Sequence, residues 1–105
     1  MKPGERTLRT LLQSLDGFLG NPATTEVVVN RPGKVGIEQA GQWSWHDEPE
    51  LTFERLDAIS ILAASMTSRD VDASQPLCAS TLPGGERIQI CRPPATLPGV
   101  ISLTM

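Results

Sequence analysis

The sequence has 105 residues, 39% of them hydrophobic and 20% charged, with a net charge of −3. That composition and length fit one globular domain with a single core, and no apolar run approaches the ~18 residues that a membrane span requires. The basic side chains (Lys2, Arg6, Arg9, Arg31, Lys34, Arg55, Arg69, Arg87, Arg92) are scattered singly, and aromatics are few, which argues against a phosphate-neutralising stripe or a base-stacking platform and so against a nucleic-acid binder.

Leu8, Leu11, Leu12, Leu15, Phe18 and Leu19 repeat on one face of a 3.6-residue period, predicting an amphipathic helix that Gly20-Asn21-Pro22 ends. Core packing is the plain reading of that stripe; a face docked on a partner or a membrane surface is the alternative. The start carries charge without a following apolar stretch, so no signal peptide is expected. Glu26-Val27-Val28-Val29-Asn30 is a β-branched run, and Pro32-Gly33 suits the centre of a type II turn. Val35 to Gln39 should therefore return antiparallel. Ala40-Gly41 turns again into Gln42 to His46, with Trp43 and Trp45 on one face.

After Asp47-Glu48-Pro49-Glu50 a second helix opens, with Thr52 as N-cap and Leu51 and Leu56 at the staple positions. Phe53, Leu56, Ile59, Leu62, Ala63 and Met66 supply its apolar face, and Ser68 to Gln75 reads as a polar loop. Leu77 to Leu82 meets Arg87 to Cys91 across Pro83-Gly84-Gly85-Glu86, a hairpin signal, and Pro93-Pro94 stops the second strand. A symmetric four-residue loop would pair Leu82 with Arg87, Ser80 with Gln89 and Cys78 with Cys91. It would leave the two thiols opposite each other and reduced. Val100 to Met105 forms a last strand. Its alternation to the final residue predicts a piece of a longer protein. The fold class is α+β: helix, three strands, helix, three strands, with a mainly antiparallel sheet of about six strands, helices packed on it and a PAS-like shape.

Catalytic equipment is sparse. His46 lies beside Asp47 and Glu48, but three consecutive residues at a strand end are expected to be a solvated cluster. Serines and cysteines lack a base, G-x-S-x-G is absent, and no zinc spacing occurs. Gly84-Gly85 stands between two strands, so it reads as a turn and not a phosphate loop; no G-x-x-x-x-G-K-[ST] exists. No catalytic or metal residue is assigned. Arg31 and Arg87 flank turns, where a guanidinium can meet phosphate or carboxylate, or simply be solvated.

Glu26-Val27-Val28-Val29-Asn30-Arg31-Pro32-Gly33, then Gly41-Gln42-Trp43, then Pro76-Leu77-Cys78-Ala79-Ser80-Thr81-Leu82-Pro83-Gly84-Gly85-Glu86-Arg87-Ile88-Gln89-Ile90, then Pro93-Pro94-Ala95-Thr96 and Ile101-Ser102-Leu103-Thr104, resemble in order and spacing the N-terminal domain of the hexameric secretion ATPases of VirB-type (type IV) systems. The resemblance covers about residues 8 to 105. It implies that residues 1–105 are one N-terminal domain of a two-domain ATPase, with the RecA-like C-terminal ATPase domain and its Walker motifs lying outside this chain. It implies ATP and Mg as cofactors of the full-length protein and none for this segment alone. It also implies a homohexamer, inner-membrane components of the secretion apparatus as partners, and a cytoplasmic place peripheral to the inner membrane. Carried over, Asn30 and Arg87 line the nucleotide site. Two departures stand out: Arg92 occupies a position where relatives have an apolar residue, and the match ends before an Arg that relatives carry after the last strand. The rival expectation is a stand-alone PAS-like module that binds a small ligand or partner. A type II secretion or twitching-pilus ATPase would lack the P-G-G-E-R-I-Q-I-C context.

Overall fold

The computed structural model describes residues 4–67, 74, 77–93, 96 and 101–105. The expected polar loop of 68–75 falls outside these residues except for Ser74, as do Pro94 and the start of the expected last strand. The leucine stripe does bury Leu8, Leu12 and Leu15, but not as one helix. It forms α1 (Glu5–Leu11), a 3-10 turn (Gln13–Leu15) and a short α2 (Asp16–Leu19). The reason is local: Leu15 N–H donates to Leu12 O at 2.8 Å, an i→i+3 bond that tightens the chain after one α-helical stretch. Asn21 then forms an Asx turn, its Oδ1 accepting from Ala23 N–H at 2.9 Å, and the chain enters the sheet.

Two three-stranded meanders follow. The first is β1 (Thr24–Arg31), β2 (Lys34–Gln39) and β3 (Gln42–Asp47). Gly33 has φ 82, as the β1–β2 turn requires. The β2–β3 turn places both central residues at positive φ, Ala40 at 52 and Gly41 at 77. An alanine there carries a Cβ–carbonyl clash that Asn tolerates better. Ala40→Asn should therefore stabilise the fold by up to about 1 kcal/mol, read as a higher urea midpoint, whereas Ala40→Val should lower it.

α3 (Phe53–Ser65) connects the meanders. Thr52 caps it as expected, Oγ1 accepting from Arg55 N–H at 3.2 Å, and Leu51 and Leu56 are fully buried at its start. The second meander is β4 (Leu77–Thr81), β5 (Arg87–Cys91) and β6 (Ser102–Thr104). The sheet order is β3-β2-β1-β6-β5-β4 with every pairing antiparallel, so the two meanders join along β1 and the three-residue β6. The α+β class with helices on one face of a six-stranded sheet is as expected.

Alternation divides that sheet cleanly. Val27, Val29, Val35, Ile37, Cys78, Ile88, Ile90 and Leu103 face the helices and meet Leu8, Leu15, Leu56, Ile59 and Ala63 in the core. Val28, Gly36, Trp43, Trp45, Gln89 and Thr104 lie on the opposite, uncovered face, which follows from the register.

The β4–β5 register corrects the expected one. Thr81 pairs with Arg87, Ser80 with Ile88, Cys78 with Ile90 and Leu77 with Cys91. The loop holds three residues, not four. Leu82 N–H donates to Glu86 O at 2.7 Å, Gly85 N–H donates to Leu82 O at 2.9 Å, and Gly85 sits at φ 96. This is a turn followed by a glycine bulge, and its odd length shifts the ladder by one residue. Cys78 is consequently in the core and Cys91 on the other face, both as free thiols and not opposite each other.

Arg92 is accommodated by α3. Its guanidinium pairs with the Asp57 carboxylate and donates to Ser60 Oγ at 2.8 Å. Ser80 Oγ donates to Ala63 O at 2.6 Å, a second polar tie between α3 and the second meander. Arg92→Leu leaves Asp57 without its counter-charge. It should cost about 1–2 kcal/mol in a denaturation experiment, and Asp57→Ala in that background should recover part of it.

Candidate functional site

The uncovered sheet face holds both residues singled out from the sequence, toward opposite ends of the strands. Asn30 is the penultimate residue of β1, is exposed, and accepts at Oδ1 a hydrogen bond from Ser102 Oγ–H at 3.3 Å. Arg87 begins β5 and is exposed. Gln89, Thr104 and Val28 lie in one row across the sheet; Arg87 is two residues beyond that row in one direction and Asn30 two beyond it in the other. With ~3.4 Å per residue and ~4.8 Å per strand, the two lie ~16 Å apart. One phosphate group cannot touch both.

Each has its own concavity. Arg87 lies between two. One, of about 360 Å³, is lined by Thr67, Ser80, Thr81, Arg87 and Gln89 among others. The other, of about 300 Å³, is lined by Thr24, Glu26, Glu86, Arg87 and Met105 among others. Among the described residues Arg87 forms no ion pair, so its five donors face solvent and can receive an anion brought onto this face. Asn30 lines a groove of about 290 Å³ with Arg31, Lys34 and Trp45. Lys34 and Trp45 were not identified as site residues from the sequence. Trp45 read there only as one of two aromatics on a strand face, and nothing in the linear order puts it beside Asn30.

Trp43 and Trp45 share a face as expected, stacked with ring centroids 6.1 Å apart and planes 17° apart. They are 45% and 52% exposed although β3 is an edge strand. Trp45 lies over Gly36, its cross-strand partner; a Cβ at Gly36 would fall 2.6 Å from the indole. The ring thus shields backbone that glycine leaves bare. Gly36→Val should expel it, with a fall in stability and a red-shifted tryptophan emission as the readout.

His46, Asp47 and Glu48 do not converge. His46 Nε2 is 3.0 Å from Ser44 Oγ, and its ring packs on Phe18 at 5.1 Å, while Asp47 pairs with Lys34 Nζ at 3.1 Å. Among the described residues no three His, Cys, Asp or Glu side chains group as metal ligands, and no helix is long and apolar enough to cross a membrane.

A helix-backed antiparallel sheet with one uncovered face defines a two-layer α+β domain. No protein-family model matches the chain. It is 43% identical over 98 residues to the protein VirB11 of Rhizobium radiobacter, a match covering 93% of this chain and 28% of that protein. It is 43% identical over 94 residues to the type IV secretion system protein VirB11 of Brucella suis, and 40% identical over 94 residues to the type IV secretion system protein PtlH of Bordetella pertussis, each covering 90% of this chain. The crystal structure of the VirB11 ATPase from the Brucella suis type IV secretion system in complex with sulphate has the same fold. The TM-score is 0.89 at 41% identity, over 93% of this chain and 30% of that one. The chain is a homologue of the VirB11-type secretion proteins, matched to their N-terminal part, and spans about 28% of the length of these relatives.

Proposed function

We propose that this chain is the N-terminal domain of a type IV secretion ATPase, and that a RecA-like ATPase domain follows it in the full-length protein. The observation that carries this reading is the agreement of fold and sequence, at 41% identity and a TM-score of 0.89 over 93% of the chain, with a protein described as a secretion ATPase. In that setting the full-length protein hydrolyses Mg-bound ATP and couples the cycle to pilus assembly and substrate export. It works as a homohexamer on the cytoplasmic side of the inner membrane, docked on other components of the apparatus. The domain's share is ring formation, docking and contact with nucleotide.

Arg87 is the residue best suited to that contact. A guanidinium at a strand end on a bare sheet face can meet a phosphate presented by a second domain, through charge-assisted bonds. Asn30, on the same face ~16 Å away, meets the same nucleotide only through its far end. These 105 residues contain no P-loop lysine and no Mg²⁺ ligand set, so the chemistry belongs to the following domain. The coding sequence tests the reading at once. A G-x-x-x-x-G-K-[ST] segment within ~100 residues after Met105 is expected, on the usual size of a following domain. A reading frame that closes without one would instead leave a stand-alone interaction or small-ligand module.

A further inference from the structure

We infer that the open edge of β3 is a docking site for an extended segment of a partner protein, one that carries a lysine or arginine beside Trp43. The inference goes beyond the secretion-ATPase reading and does not rest on it. It starts from the backbone groups that β3 leaves unpaired.

β3 is an outermost strand of the sheet, and its residues pair with β2 in unbroken register. Gln39 and Gln42 flank a two-residue turn, so they form a hydrogen-bonded pair, and alternation gives Ser44 and His46 the same role. The N–H and C=O groups of Trp43, Trp45 and Asp47 therefore point away from the sheet. Among the described residues no other backbone group meets them. Edge strands are ordinarily blunted by lysine, proline or a bulge. β3 has none of these. All of its residues are exposed, including two stacked indoles, a side chain that makes a strong anchor once a partner covers it.

Charge identifies the kind of segment. Trp43 stands opposite Glu38 on β2, and Glu38 stands opposite Glu26 on β1. Like charges directly opposite on a sheet are unfavourable unless a cation joins them. Neither carboxylate has an ion pair among the described residues; Glu38 Oε1 accepts the Thr25 hydroxyl at 2.9 Å. Arg87 shares a concavity with Glu26 but makes no ion pair with it. Arg31 and Lys34 lie toward the other end of β3, beside Asp47, so the missing cation belongs at the Trp43 end. A strand added to β3 would lie two strand spacings, roughly 10 Å, from β2. From there the stem of a lysine or arginine can cross the Trp43 indole and bring its charge to Glu38. On the helix side β3 presents Gln42, Ser44 and His46, the last packed on Phe18, so alternate residues of the segment are polar. A second copy of this chain does not supply the match, because its two edge strands, β3 and β4, contain no lysine or arginine.

The 105-residue chain is titrated with the peptide acetyl-Thr-Val-Thr-Lys-Thr-Val-Thr-amide and followed by amide NMR. Saturable shifts are expected at the amides of Trp43, Trp45 and Asp47 and not along β4. The same peptide N-methylated at its lysine and valines cannot donate to the edge and should give none. With glutamate in place of lysine, binding should be at least about fivefold weaker, and Glu38→Gln should weaken the lysine peptide about threefold. Absence of saturable shifts, shifts centred on Leu77–Thr81, equal binding of the N-methylated or glutamate peptide, or undiminished binding by Glu38→Gln would each overturn the assignment. So would an edge already taken by a second copy, read as concentration-dependent dimers joined at the same amides. None of these outcomes bears on the secretion-ATPase reading, which stands on the full-length protein's turnover.

Discussion

Leu103→Ala should unfold the domain at a much lower denaturant concentration than the parent, with a loss of about 3 kcal/mol and a melting temperature lower by roughly 12–24 °C. Leu103 is fully buried at the centre of β6, which spans only Ser102–Thr104. Its backbone neighbours are Val29 on one side and Ile90 on the other, so one residue sits at the seam between the two meanders. Truncation removes core contacts and leaves a cavity in a place where the two flanking strands, β1 and β5, cannot collapse independently. Leu77, 59% exposed on the outermost strand, is the control; its replacement by Ala should change stability by less than about 0.5 kcal/mol. Equal effects at the two positions would mean that β6 does not join the halves of the sheet.

Arg87→Ala in the full-length protein should weaken nucleotide binding or turnover by about one to two decades while the domain stays folded. The side chain is exposed and, among the described residues, makes no salt bridge, so removing it disturbs no packing. A charge-assisted hydrogen bond to phosphate is worth about 1.5–3 kcal/mol, which is the source of the expected factor. Arg87→Lys keeps the charge but not the fork, and should fall between. An unchanged nucleotide affinity and rate would return Arg87 to the status of a solvated strand-end charge.

What the sequence could and could not disclose follows from the range of each interaction. The elements governed by nearest-neighbour chemistry were legible: Thr52 as a cap, Pro32-Gly33 as a turn, and the alternation that puts Trp43 and Trp45 together. The break at Leu12 was not, because a leucine stripe reads alike for a continuous helix and for two helices joined by a 3-10 turn. The β4–β5 register failed on a single residue. Gly84 and Gly85 both permit positive φ; only the fold decides that Gly85 adopts it, and with it the loop length and the faces of Cys78 and Cys91. The adjacency of β1 and β6 is a long-range pairing that no local pattern specifies. For the same reason the sequence could name Asn30 and Arg87 through a resemblance but could not tell that they stand toward opposite strand ends of one face, or that Trp45 and Lys34 share a groove with Asn30.

The central claim is that these residues are the non-catalytic front of a secretion ATPase. It is tested most directly by measuring Mg-dependent phosphate release from the full-length protein and from residues 1–105 side by side. Turnover by the full-length protein and only background from the isolated domain is the expected result. Turnover by the 105-residue chain that survives repurification, or none by the full-length protein, would contradict it.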